Sequence, residues 1–275
     1  MKKEFCIALS VFGSLAGAWC LALVPRRGQK GWEALGSSRY AHRGLHNKDA
    51  GVPENSLSAF RLAKEHGLGA ELDVHLMADG NLAVIHDSNL KRVCGQDAMI
   101  EDLILEDLKR YPLLGSSETI PLLEEVLEIF ENSTPLVVEL KVERGNAGAL
   151  VDAVMKRLTG WNGTYCVESF HPAALLYLKK KYPDVIRGQL SQNFLIGEHT
   201  GMGSLADFVM TNLLTTFLTR PDFIAYKHTD RGGLSLRLMK KLYGVHEVAW
   251  TVRDRETMER LERDGVTVIF EKFVP

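Results

Sequence analysis

From residue 38 onward the chain repeats one pattern: a short apolar run, then an amphipathic stretch, with most of the apolar runs ending in charged residues. SRYAHRG (38–44), LGAELDV (68–74), LAVIHD (82–87), PLVVELK (135–141), TYCVES (164–169) and HEVAWTV (246–252) read as strands by their period and composition. VIRGQL (185–190), ADFVMT (206–211) and VTVIF (266–270) are added to them. Between them ENSLSAFRLAKEHG (54–67), IPLLEEVLEIFEN (120–132), NAGALVDAVMKRLT (146–159) and HPAALLYLKKKYP (171–183) have helical periodicity. Strand alternating with helix means a parallel sheet covered by helices, either a doubly wound sheet or a TIM (β/α)8 barrel. Polar residues decide between them. They recur at the ends of many strands (HRG, ELD, IHD, ELK, VES, AWT), whereas a doubly wound sheet gathers ligands at one switch point beside a glycine-rich turn. No GxGxxG or Walker sequence is present, so the expected α/β fold is the TIM barrel. The Asp79-Gly80 connection fits poorly, being too short for a crossover helix.

The stretch ELDVH places Glu71, Asp73 and His75 on one strand face, because strand side chains alternate with period two. Unpaired carboxylates on a core face would cost several kcal/mol or be forced neutral. That face must meet water, a cation, or both. Hard divalent cations take oxygen ligands. Glu71 and Asp73 supply two, and Glu139 at the end of another strand can supply a third, with Lys141 on its own face adding a positive charge. His42 in AHRG and His86 in IHD follow apolar strand residues and project to the barrel mouth, where a pair of histidines can move protons in opposite directions. Arg43 has the fork to bind a phosphate oxygen pair. His75 reads as supporting, and His46, His66, His171, His199, His228 and His246 as structural or surface residues.

With 275 residues, 45% of them hydrophobic, the chain suits one large domain. A net charge of −2 and the lack of a basic, aromatic-laced stripe argue against a nucleic-acid partner. Cys6, Cys20, Cys94 and Cys166 show no CxxC spacing, so neither a disulfide framework nor a zinc site is expected.

FCIALSVFGSLAGAWCLALV (5–24) carries no charge, follows Lys2 and Lys3, and precedes Pro25, Arg26 and Arg27. At about 1.5 Å per residue it reaches across a bilayer. Residues 1–25 are therefore expected as a single transmembrane anchor, 26–37 as a linker and 38–275 as the barrel. The rivals are a cleaved signal peptide, with AGA (16–18) as its cleavage site and a secreted product, and a buried soluble helix, which the flanking charges make the weakest of the three. Arg26, Arg27, Lys30 and Arg39 outnumber Lys2 and Lys3, which leans toward a cytoplasmic barrel.

Taken together, HRG, PENS (53–56), G-x-ELDV, HD-x-x-L-x-R (86–92), IPLLEEVLEIF, VVELK, ESF and AWTVRD resemble the glycerophosphodiester phosphodiesterase family, in an order that is specific although each piece alone is weak. The membrane-anchored bacterial type fits the N-terminus. The resemblance implies a metal-dependent TIM barrel of lipid metabolism that cuts glycerophosphodiesters into sn-glycerol 3-phosphate and an alcohol. It implies Glu71, Asp73 and Glu139 as ligands of one divalent cation, Mg²⁺ or Ca²⁺ with Mn²⁺ as a further candidate, and His42 and His86 as the catalytic histidines. By the same resemblance Arg43 and Lys141 would hold the phosphate, Trp250 would pack on the glycerol, Glu168 would be a further polar contact, and Glu54 would orient the first-strand site. Direct attack by water and a cyclic phosphate intermediate both remain open. Two departures bear on substrate preference: VTVIFEKFVP stands where relatives read GVDGIITDYP or similar, leaving Glu271 and Lys272 without a role, and residues 191–230 align poorly. The alternatives are a lysophospholipase D-like enzyme, favoured by an exposed apolar patch at the mouth, and a catalytically silent membrane-attached binding barrel. The sequence carries no signal for an oligomer.

Overall fold

Eight parallel strands close into a barrel in this computed structural model, which describes residues 13–28 and 30–275. The strands are β1 Tyr40–Ala41, β2 Gly69–Leu76, β4 Leu136–Leu140, β5 Tyr165–Ser169, β6 Arg187–Ser191, β7 Phe223–Lys227, β8 His246–Val252 and β9 Thr267–Phe270. β1 pairs with both β2 and β9, which shuts the sheet on itself. The irregularity at Asp79-Gly80 has a simple form: β3 (Leu82–Val84) folds back antiparallel on β2 as a hairpin and is not a barrel stave.

Strand alternation separates two layers. Ala70, Leu72, Val74, Leu136, Val138 and Leu140 face outward and are buried against the helices Leu57–Glu65 and Leu123–Phe130. Each such side chain contributes about 1.5–3 kcal/mol on burial. The first of these helices starts where Ser56 Oγ accepts the Ala59 amide, a side-chain cap that ENS supplies. Inside the barrel, Tyr40, Val137, Cys166, Phe223, Val248 and Ile269 fill the lower half. Above them the lining turns polar.

The parallel register then fixes the site. Asp73 lies opposite Glu139 across β2 and β4, and Glu139 lies opposite Glu168 across β4 and β5. Neighbouring strands are about 4.8 Å apart, so three carboxylates form one rung. Glu71 lies two residues below Asp73 on the same face.

Two expectations are corrected. ADFVMT is not a strand but part of the helix Ser204–Thr211, whose buried Met210 and exposed Leu205 and Phe208 follow helical spacing. A strand the sequence reading did not resolve, β7, carries FIAYK instead.

The apolar run 5–24 is not a bilayer-spanning helix in its described part. Residues 1–12 lie outside the described residues, and among the described ones no helix is long and apolar enough to cross a membrane. Residues 13–22 are helical, but the second half of that helix lies against the barrel. Leu23 is fully buried among Leu213, Ile224, Tyr226 and Met239. Thr216 Oγ1 donates to the Ala22 carbonyl at 2.8 Å and Tyr243 Oη to that of Cys20 at 2.7 Å. A segment held this way by protein cannot also be surrounded by lipid.

Part of the stretch expected as a linker, 26–37, touches the barrel. Trp32–Gly36 is a short helix at the foot of the barrel; Trp32 stacks on His246, and Leu35 is buried beneath Tyr40, whose hydroxyl donates to the Leu35 carbonyl.

Candidate active site

A cleft of about 570 Å³ opens at the C-terminal end of the strands, where a barrel of this type places its chemistry. His42, Arg43, Glu71, His86, Glu139, Lys141, Glu168 and Trp250 all line it. Asp73 lies just beneath, 1% exposed, and Glu54 sits behind Arg43. Residues from four strands (β2, β4, β5 and β8) and from the segments after three strand ends thus meet on one axis.

The carboxylate group comes first. Glu71, Asp73 and Glu139 are buried, each with a carboxylate oxygen within 4.8 Å of the others. Glu168 joins them with Oε2 buried and without a hydrogen-bond partner. Lys141 Nζ stands 2.7 Å from Glu139 Oε1 and 2.9 Å from Asp73 Oδ1, and Arg43 Nε stands 3.5 Å from Asp73 Oδ2. Four buried carboxylates against those two cations leave an excess of negative charge. Burial, then repulsion from Asp73 and Glu139, pushes the Glu71 carboxyl well above its ordinary range. Burial also raises Glu139 and Glu168. Burial would raise Asp73 too, but Lys141, His86 and Arg43 hold it well below the usual carboxylate range. An all-oxygen cluster with surplus charge and an unpartnered oxygen is the donor set of a hard divalent cation. The residues fit such a group.

The histidines are each held by a carboxylate. His86 Nδ1 is 2.6 Å from Asp87 Oδ1, and His42 Nδ1 is 2.8 Å from Glu271 Oε2. A carboxylate on Nδ1 fixes the ring and turns Nε2 into the cleft; His42 Nε2 then lies 4.0 Å from Glu71. Burial lowers His86 to about 4 and lowers His42 as well, against the raising effect of their carboxylate partners. His75 is buried below, its Nδ1–H donating to the Glu101 carboxylate at 2.6 Å, with Nε2 3.2 Å from the His86 carbonyl. It braces the loop that carries His86.

Local backbone explains the HRG and ENS spellings. Arg43 has φ 55° and Asn55 φ 53°, both left-handed. Gly44 follows at φ 77°, where an added Cβ would come within 2.8 Å of the Ala59 backbone carbon. Only glycine fits that approach. The turn lets the Arg43 amide donate to Glu71 Oε2 at 3.0 Å and Asn55 Nδ2 donate to Asp73 Oδ2 at 2.8 Å. Glu54 Oε1 accepts from Arg43 Nη1 at 2.7 Å and from Arg92 Nη2 at 2.6 Å, and Arg92 also bonds Asp87. One chain of ion pairs therefore links both histidine loops. On the far wall Trp250 packs edge-on to Phe170, which packs on Phe194.

The sequence reading missed several members. Glu271 stood without a role. Arg92 and Asn55 were quoted only inside motifs, and their spacing from Asp87 and Glu54 was the available signal. Arg253, which donates to Glu271 at 2.7 Å, likewise stands only inside a motif, AWTVRD. His199 and His228, set aside as structural, both line the cleft.

Residues 42–274 match the family model described as the glycerophosphoryl diester phosphodiesterase family. The chain belongs to that family. It is accordingly a phosphodiesterase, a phosphoric diester hydrolase, and the silent binding barrel finds no support. Among curated relatives, a glycerophosphodiester phosphodiesterase of Caldanaerobacter subterraneus subsp. tengcongensis is 29% identical over 82% of this chain and 90% of its own. A shorter match, 34% identical over 47% of this chain and 46% of its own, is to a Homo sapiens protein named lysophospholipase D GDPD1. A glycerophosphodiester phosphodiesterase structure from Thermotoga maritima superposes with TM-score 0.62 at 27% identity, over 84% of this chain and 92% of its own. A phosphodiesterase from Oleispira antarctica, solved with the product sn-glycerol-3-phosphate, shares the fold with TM-score 0.69 at 24% identity, over 85% and 92% of the two chains.

Proposed function

We propose that this phosphodiesterase hydrolyses glycerophosphodiesters to sn-glycerol 3-phosphate and an alcohol, with His42 and His86 moving the protons and one divalent cation, Mg²⁺ or Ca²⁺, held by Glu71, Asp73 and Glu139. The observation that carries this reading is the rung of buried carboxylates with both histidines opening onto the same cleft.

A phosphodiester carries one negative charge, and its cleavage builds more on the phosphoryl oxygens. Lys141 and Arg43 supply fixed positive charge at that point, already in place before the charge develops. A divalent cation bound by the three carboxylates supplies Lewis-acid stabilisation of the same oxygens. His42 and His86 sit on separate loops: one imidazole, entering neutral, takes the proton of the attacking hydroxyl, and the other, entering as the imidazolium beside the anionic phosphate, delivers a proton to the departing alkoxide. Trp250 and Phe170 form an apolar wall for the glycerol carbons, while Glu168 accepts from a glycerol hydroxyl.

The test uses the full chain stripped with EDTA and incubated with glycerophosphocholine or glycerophosphoethanolamine, adding back Mg²⁺, Ca²⁺ or Mn²⁺ singly. Release of glycerol 3-phosphate should need metal and fall by roughly 10²–10⁴ in His42→Ala or His86→Ala. Undiminished turnover in the stripped protein would overturn the metal assignment.

A second substrate class is favoured by one observation. Ile196, Met202 and Leu205, in the poorly aligned stretch, are exposed beside the cleft residues Phe194, Glu198 and His199. An apolar rim suits a substrate with an acyl chain, such as lysophosphatidylcholine, with lysophosphatidic acid as product.

A further inference from the structure

We infer that the rim at residues 195–208 and the N-terminal helix together dock on a lipid bilayer surface, with the barrel mouth turned toward the lipid. The inference rests on the lysophospholipid reading above for its purpose, but its geometry is independent of it.

The direction of the N-terminal helix comes first. Arg26 donates its amide to the Pro221 carbonyl at 3.0 Å, and Arg220 Nη1 donates to the Val24 carbonyl at 2.6 Å. Residues 220 and 221 come just before β7, so this contact is at the foot of the barrel. Trp19 Nε1 instead donates at 3.1 Å to Ser235 Oγ, in the first turn of the helix Leu234–Tyr243, which begins above the upper end of β7. Followed backward from residue 26, the chain climbs toward the mouth. The residues before Trp19, 13 to 18, are all exposed. Upstream of them the sequence continues as FCIALSVF (5–12), without a charge.

The rim lies beside this exit. The Trp19 ring meets Phe208 edge-on at 5.7 Å between centroids, joining the N-terminal helix to the helix Ser204–Thr211. On that helix and the loop before it, Leu205 is 78% exposed, Ile196 76% and Met202 62%. Large apolar side chains gathered at this density mark an interaction surface.

A bilayer is the occupant that the chain outside the described residues selects. In the sequence an uncharged apolar segment precedes the exposed residues 13–18, and a segment of that composition, with Lys2 and Lys3 suited to head groups before it, enters lipid readily. Docked in this way, the cleft meets the layer that holds lysophospholipids, and a lipid head group reaches the carboxylate rung without its acyl chain crossing water.

The experiment compares the full chain with the triple variant Ile196→Asp/Met202→Asp/Leu205→Asp, none of which lines the cleft. Phosphatidylcholine vesicles containing lysophosphatidylcholine are the probe. The natural chain should sediment with the vesicles. The variant should partition at least about tenfold less, as expected for three apolar side chains kept out of lipid. Its kcat/KM on vesicle-borne lysophosphatidylcholine should fall in step, with kcat/KM on dissolved glycerophosphocholine unchanged. Equal partitioning of the two proteins would overturn the docking surface, as would a natural chain that stays in the supernatant. Tryptophan quenching of the natural chain by brominated phosphatidylcholine checks the same point without a variant, and no quenching would overturn it. Absence of glycerophosphocholine turnover by the natural chain would strike the glycerophosphodiester reading instead, leaving sedimentation to judge docking.

Discussion

Glu271 Oε2 lies 2.8 Å from Nδ1 of His42, while the other carboxylate oxygen accepts from Arg253 Nε at 2.7 Å. The pair joins the last barrel strand to the first, at the seam where β9 closes on β1. Hydrogen bonds from His42 and Arg253, with His46 Nε2 a further 3.9 Å away, overcome the effect of burial and keep this carboxyl far below its ordinary range, so it is ionised.

Glu271 is therefore a positioning residue for His42. Glu271→Ala should lower kcat by roughly tenfold to a hundredfold with little change in KM, because the ring loses the partner that fixes its tautomer. Glu271→Gln, whose amide oxygen can still accept from Nδ1, should recover part of that loss. The strongly downfield Nδ1 proton of His42 in NMR should vanish in the alanine variant. An unchanged kcat in Glu271→Ala would reduce the contact to packing.

The carboxylate rung should couple metal binding to folding. With a cation at about a hundredfold its dissociation constant, unfolding free energy should rise by about 2.7 kcal/mol, seen as an upward shift in the thermal midpoint over the EDTA-treated protein. Glu139→Gln should abolish most of that shift. A variant still stabilised as strongly as the natural chain would remove Glu139 from the ligand set.

Glu54 gives the stability a defined acid limb. Burial would raise its pKa, but hydrogen bonds from Arg92 and the charge of Arg43 bring it down to about 2, from 4.5. A depressed carboxyl stabilises the fold above its unfolded pKa, and that contribution is lost as pH falls from about 4.5 toward 2. Glu54→Gln should cost about 2–3 kcal/mol at pH 7, and the difference from the natural chain should shrink to near zero by about pH 2. Denaturant titrations across that range would show it; a gap that does not depend on pH would contradict the ion-pair origin.

Gly44→Ala should destabilise by roughly 1–3 kcal/mol, since it places a Cβ at positive φ and against the Ala59 backbone. It should also disturb the Arg43 amide contact with Glu71, so activity should drop further than stability alone explains. A fully active variant with an unchanged denaturant midpoint would show that the turn can relax.

The sequence alone determined the strand–helix alternation and most of the residues that meet in the cleft. Side chains on one strand alternate strictly, so Glu71 with Asp73 and Glu139 with Lys141 could be paired by spacing alone. The same local rules misread ADFVMT, whose alternation over a few residues imitates a strand, and overlooked FIAYK within a long polar-punctuated stretch. The apolar run 5–24 satisfied a length criterion for spanning a bilayer, but nothing local reveals that Leu23 finds a protein groove between β7 and the helix that follows it. Only tertiary structure decided the interstrand register that sets Asp73, Glu139 and Glu168 on one rung, and the closure that carries Glu271 to His42 across 229 positions of sequence. Such contacts depend on hydrogen-bond pairing between strands far apart in the chain, and no periodicity within a single strand encodes them.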